Sequence, residues 1–436
     1  MTARDDFDRL LAIWLDESAG AGTPEYLDET LTAIGRLRQR PAWLSPWRWL
    51  PMQLTMRRVA VPRAIPYFAL LALLLVVALL AVALAGSQRR LPQPFGRAAT
   101  GLIAFDTNGD IHVANADGTG VRAFVATPAT EHGATFSRDG TRLAYWSRPV
   151  GGSPQLRLVD ANGATDLNLT GDMALSADTF MPAGSWSPDG TRLAFSSGLG
   201  DLYVIATDGS TPARRIGEPG LLRSSPAWSP TGDWIAFRGL RSGPFEPPAV
   251  YVIRPDGTGE TRVSGFSGGV NAMLNPDWSP DGASLLYDAV YDAPLGADES
   301  GEIIVATLDG SSWTERVVVE RSPSWMARFS NDGTQIAFLR CRVQECVGAG
   351  SDVYVVGTDG SGLERVSDEP VGVAPPCWMP DDRAIVALTG DVTNAIENQA
   401  SARYVVLPLV DAVPRAEIAA PGIVGVAACS WQRLAP

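Results

Sequence analysis

The chain has 436 residues, 45% hydrophobic and 19% charged, a composition that can bury a core and excludes a disordered chain. The formal net charge is −13, with +1 on residues 1–64 and −14 on the remainder, so phosphate backbones repel the body of the chain and nucleic acid is excluded as a ligand. All 35 basic residues are Arg and the only histidines are His112 and His132, which rules out a P-loop Lys, a Schiff-base Lys and a three-His zinc site; no cofactor and no metal is expected.

Residues 1–64 read as a short α-helical segment. Asp5 to Glu17 places Phe7, Leu10, Leu11 and Trp14 at helical spacing, and Pro24 to Arg40 has Pro at its start, acids early and Arg in its last turn. The stretch PAWLSPWRWLPM, with Trp43, Trp47 and Trp49 beside Arg48, suits a membrane surface or a helical hairpin packed on itself. Residues 65–85 then give 21 residues without a charge, and about 20 span a bilayer as a helix. Pro66 falls in the first turn, and Tyr67 and Phe68 fit the interface. A cleaved signal peptide would place its apolar run near residue 1. Arg48, Arg57, Arg58 and Arg63 precede the span and Arg89, Arg90 and Arg97 follow it. Positive-inside counting therefore expects a cytoplasmic N-terminus, a linker over 86–97 and an extracytoplasmic domain over 98–436.

In that domain one phrase recurs: FSRDGTRLAYW from Phe136, WSPDGTRLAF from Trp186, WSPTGDWIAF from Trp228, WSPDGASLLY from Trp278, FSNDGTQIAF from Phe329 and WMPDDRAIVAL from Trp378. The aromatic anchors are 50, 42, 50, 51 and 49 residues apart, a period that predicts an array or propeller. In each phrase the aromatic ends one strand, Ser-Pro-Asp-Gly turns the chain, and an alternating apolar run opens the next strand. A third strand follows each time, as in LYVIATDGS from Leu202 and VYVIRPDGTG from Val250, and a short fourth, as at Thr261. The first copy, at GLIAF from Gly101, lacks its leading strand; VAACSWQR, with Trp431, supplies it from the other end of the chain. Six full repeats and one split repeat predict an all-β, seven-bladed β-propeller closed by the C-terminal strand, which removes exposed sheet edges.

These phrases resemble the propeller repeat of the TolB family, a motif similar to WD repeats, over about residues 98–434. The resemblance implies the fold. It departs from TolB in blade number, since TolB-type propellers have six, and in the membrane helix that stands where TolB has a small α/β domain. Similar repeats also sit beside the catalytic domain of prolyl-oligopeptidase-like peptidases; no hydrolase domain is expected after the closing strand here. A small cytoplasmic piece, one span and an outside sensor resembles the layout of transmembrane anti-sigma factors, although residues 1–64 hold no His and no Cys.

Chemical candidates are few. GFSGG at 265–269 matches a nucleophile elbow, but Ser267 falls between two strands with no helix after it, so a Gly-rich connection is expected. DTNGD at 106–110 reads as a type I′ hairpin rather than a calcium loop. The four cysteines, Cys341, Cys346, Cys377 and Cys429, suit disulfides: Cys341 with Cys346 across a short loop, and Cys377 with Cys429 on the first strands of neighbouring blades. Because the first strand of a blade lines the central channel, Glu131, His132, Arg223 and Trp325 are the candidates for a channel-mouth site. The expected function is a membrane-anchored extracytoplasmic propeller that binds a protein or envelope polymer without catalysis. The alternatives are a signalling protein of anti-sigma type, with residues 1–64 engaging a cytoplasmic regulator, and a hydrolase or lyase acting from the channel mouth.

Overall fold

The computed structural model describes residues 96–434, apart from 174, 177–182, 242–246, 266–269, 292–299, 311, 343–349, 373, 390–401 and 420–428. The expected helical segment 1–64, the span 65–85 and residues 86–95 of the linker lie outside the described residues, all of which fall in the unit Arg89–Pro436. Among the described residues no helix is long and apolar enough to cross a membrane.

Among the described residues twenty-eight strands form seven four-stranded antiparallel sheets, the blades of a propeller. Blade 1 has the split composition read from the repeats. The C-terminal strand Ser430–Leu434 pairs with Ala99–Thr107, which continues into Asp110–Ala114 and Arg122–Val125. Blades 2 to 7 each use four consecutive strands, and their inner strands begin at Thr130, Ser185, Leu221, Val270, Ser324 and Cys377.

The alternation of each second strand explains the ring. In blade 4, Ile235 and Phe237 pack toward blade 3, against Leu202, Val204 and Ile216. Ala236, between them, packs toward blade 5 with Leu285, Tyr287 and Ile304. Every blade is thus apolar on both faces and must be covered on both. Seven hydrophobic clusters fill the seven blade junctions, and the cluster of Phe105, Trp431, Val386 and Tyr404 joins blade 7 back to blade 1.

The recurring phrase is a hydrogen-bonded module. In blade 3, Ser187 Oγ donates to Asp189 (2.6 Å) and accepts from Arg192 N (2.9 Å), while Asp189 accepts from Thr191 N (3.0 Å). The glycine of the turn takes positive φ; at Gly140 (φ +67°) an added Cβ would also lie 2.2 Å from the Arg433 carbonyl. The aromatic does more than fill a junction. The indole N–H groups of Trp186, Trp278 and Trp378 donate to the carbonyls of Thr135, Ala227 and Arg328 in the preceding blade, at 3.2, 3.0 and 3.1 Å. The last repeat departs from the pattern and has Asp382 where glycine stands elsewhere.

Candidate binding site at one end of the channel

Strand direction sorts the molecule into two ends. The Ser-Pro-Asp-Gly turns gather at one end. The starts of the inner strands and the hairpins between second and third strands gather at the other, called the mouth here. Glu131, His132, Arg223 and Trp325 all start inner strands and so lie at the mouth, in blades 2, 2, 4 and 6.

Three of these four are committed to the fold. Glu131 is buried and accepts hydrogen bonds from the Thr127 hydroxyl, from Thr127 N (3.4 Å) and from Ser147 Oγ (3.4 Å). Arg223 has no exposure at all. Its guanidinium donates to Glu260 (2.6 Å), to Leu221 O (2.8 Å) and to Glu218 O (2.7 Å), and it lies over the Phe237 ring. His132 is buried on the inner strand of blade 2, paired across the ladder with Trp146. Trp325 is half-buried against the cluster between blades 6 and 7, and its indole N–H is buried without a hydrogen-bond partner. The structure therefore does not assemble the four into one site.

It brings Arg223 instead into a cleft of about 240 Å³ shared by blades 2, 3 and 4, together with Trp146, Leu199, Leu222, Arg238 and Leu240. Leu199 and Leu222 are 65% and 45% exposed. Gly200, at φ +90°, lets Leu222 close in, since a Cβ there would lie 2.6 Å from its methyl carbon. Arg238 was invisible as a candidate because it sits in the middle of a second strand, at a repeat position filled elsewhere by Asp, Ser, Trp or Leu.

The opposite end holds a more polar cleft of about 340 Å³, lined by Arg138, Asp277, Arg328 and Arg433 among others. Burial lowers the pKa of Arg138, with Asp277 acting in the opposite direction; burial and the neighbouring Arg138 bring Arg433 down to about 10. Burial raises Asp277, which accepts from Phe329 N at 2.9 Å. One sequence signal could have found this end: Arg138 takes the Pro position of its repeat phrase.

Cys377 and Cys429 are disulfide-bonded across the junction of blades 7 and 1, with Cα atoms 6.2 Å apart. Cys341 is disulfide-bonded as well, and Cys346 and Ser267 lie outside the described residues. Asp106 to Asp110 forms the hairpin between the first two strands of blade 1, with Asn108 and Gly109 at positive φ. No group of three or more His, Cys, Asp or Glu among the described residues could hold a metal ion.

With this geometry in hand, known proteins can be placed beside the chain. No family model matches it. A stretch of 83 residues is 35% identical to the Tol-Pal system protein TolB of Syntrophus aciditrophicus, covering 17% of this chain and 18% of that protein. The propeller is TolB-like. An uncharacterized protein of Agrobacterium fabrum is 26% identical over half of this chain and 69% of its own length. An uncharacterized Bacillus subtilis peptidase, YuxL, is 28% identical over 26% of this chain and 17% of its own length. Among solved structures, the tricorn protease superposes with a TM-score of 0.54 at 13% identity, over 76% of this chain and 35% of that one. Puromycin hydrolase superposes with a TM-score of 0.52 at 16% identity, over 70% and 49%. The chain thus spans half or less of these two enzymes and under a fifth of the two named sequence relatives. The likeness to solved structures is one of fold, and that fold serves enzymes and non-enzymes alike.

Proposed function

We propose that this chain is a membrane-anchored propeller, held by residues 65–85 with residues 1–64 in the cytoplasm, that binds a protein or envelope polymer outside the cytoplasm through its channel mouth and has no catalytic role. The observation that carries this reading is the apolar character of that mouth. Leu199 and Leu222 stay exposed around a cleft, whereas Glu131 and Arg223, two of the charged residues predicted to form a site there, are tied up in the fold. Exposed apolar side chains rimming a concave surface are the usual mark of a binding site. The Cys377–Cys429 disulfide supports an oxidising compartment for the propeller.

A photo-crosslinking amino acid at position 199, in the full-length chain in its native membranes, tests the mouth; position 162, in an exposed turn at the opposite end, is the control. Adducts at 199 and none at 162 are expected. Equal labelling, or none at either position, overturns the reading. Protease added to intact cells stripped of their outer layers should digest the propeller and spare residues 1–64. Turnover on a peptide and polysaccharide panel that disappears in His132→Ala would instead make the mouth catalytic.

A further inference from the structure

The Arg238 guanidinium departs from what its counterparts do in blades 1, 3 and 5. In those blades the residue after the Leu-Ala-Phe-like triplet of the second strand bonds to the inner strand of the next blade at or beside a bulge. Asp106 in blade 1 accepts from Gly133 N at 2.7 Å, and Asp288 in blade 5 accepts from Met326 N (2.6 Å) and Ala327 N (3.2 Å). Gly133 and Met326 have positive φ, the bulge geometry that turns two successive N–H groups toward the neighbour. Ser196 in blade 3 donates to Arg223 O at 3.0 Å. In blade 4 the position is Arg238, and the inner strand of the next blade has its bulge at Asn275-Pro276, with Asn275 at positive φ. Pro276 has no N–H, so only the Asn275 N–H of that bulge could call for an acceptor there, and a guanidinium cannot accept. Nothing in the fold asks for a guanidinium.

The Arg238 guanidinium makes no hydrogen bond or ion pair among the described residues, and its Nε is buried without a partner. Burial lowers its pKa, and no carboxylate acts to raise it. Leaving a buried charged donor unmade is costly, so a native chain that keeps one has a use for it or a partner outside the fold. Here the group opens into the cleft with Trp146, Leu199 and Leu222. Arg223, the other cation of that cleft, already has three acceptors. The volume of about 240 Å³ equals about eight waters at ~30 Å³ each, enough for one amino-acid-sized body.

We infer that this cleft binds an apolar residue bearing a free α-carboxylate, with Arg238 holding the carboxylate through its paired N–H donors and Trp146, Leu199 and Leu222 covering the apolar body. Arginine matches the planar carboxylate bidentately, and the apolar walls strengthen that pairing by excluding water. The same chemistry comes from two sources, an N-blocked amino acid or the C-terminus of a peptide chain. The inference deepens the binding reading above and rests on it.

Calorimetry on the full-length chain tests it with N-acetyl-L-phenylalanine, with its amide, and with a pentapeptide ending in Phe as acid and as amide. Both acids should bind at least tenfold more tightly than their amides. A pentapeptide acid binding more than tenfold tighter than the acetyl amino acid assigns a chain terminus as the source; the reverse order assigns the free acid. Arg238→Met should abolish the preference for acid over amide while raising the melting temperature, because the uncompensated guanidinium is gone. Ser224→Asp should also block the acids with Arg238 intact, since Ser224 is its direct partner across the ladder and the new carboxylate would occupy it. Equal binding of acid and amide, or an unchanged preference in either folded variant, overturns the inference. Crosslinking at position 199 without acid binding removes this inference and leaves the binding reading standing; acid binding without crosslinking removes the macromolecular partner and assigns the cleft to a free acid.

Discussion

At the position of the turn glycine in five other repeats, Asp382 stands with φ +60°, a conformation that costs a non-glycine residue. Its buried carboxylate accepts from Asn331 N (2.7 Å), Asn331 Nδ2 (2.7 Å), Asp332 N (2.9 Å) and Arg97 Nε (3.2 Å), which ties blade 6 and the entry of the chain to blade 7. Asp382→Gly relieves the backbone and orphans those donors. A net loss of about 1–3 kcal/mol is expected, read from urea denaturation midpoints. Asp288 and Asp106 give a second residue-scale expectation. Burial pushes their pKa values up to about 7 and about 6, against backbone N–H groups that pull them down. A raised folded pKa means that the folded chain holds the proton more tightly than the unfolded one. Their contribution is therefore complete below about pH 4 and is lost as pH rises toward 6 or 7, at up to about 1.4 kcal/mol per pH unit for each group. The stability of wild type relative to Asp288→Asn should fall across that window. Asp281 acts with the opposite sign. The Ser279 hydroxyl holds it below the usual carboxylate range, so its contribution disappears as pH falls through that lower value.

At the scale of the element, the closing strand carries the most weight. Ser430–Leu434 is the inner strand of blade 1, its Trp431 is buried in the junction with blade 7, and its Ser430 Oγ accepts from Phe136 N of blade 2 at 2.9 Å. Trp431→Ala should cost about 3–5 kcal/mol through the cavity it leaves. Deleting residues 429–436 should remove the single cooperative urea transition, because blade 1 then presents an unpaired edge to the channel. The aromatic anchors were legible in the sequence because packing demands a large apolar group at a fixed register in every blade. Their indole hydrogen bonds to the preceding blade were not, since a carbonyl acceptor leaves no trace in residue type.

The propeller as a whole is a ring with one seam, and the Cys377–Cys429 disulfide lies across it. Cys377 opens the inner strand of blade 7 and Cys429 immediately precedes the closing strand, 52 residues apart in sequence. Closing a loop of that length restricts the unfolded chain by up to about 4 kcal/mol. Cys377→Ser should lower the denaturation midpoint accordingly in oxidising buffer, and reductant should then shift the variant less than it shifts wild type.

The sequence by itself determined the architecture: seven blades, the split first blade, the strand that closes it and the turn chemistry of each hairpin. Such features repeat, and a repeated packing demand writes itself seven times into one chain. The tertiary structure decided which end-of-strand residues are available. Glu131 and Arg223 looked like site residues because charged groups at inner-strand starts face the channel; both turn out to be satisfied, Glu131 by Thr127 and Ser147 and Arg223 by Glu260 and the carbonyls of Glu218 and Leu221. Arg238 looked like an ordinary strand residue, and only the three-dimensional neighbours, an apolar cleft shared by three blades, reveal a guanidinium without a partner. Whether a polar group is free for function depends on its surroundings in space, and those come from blades that lie up to a hundred residues away in the chain.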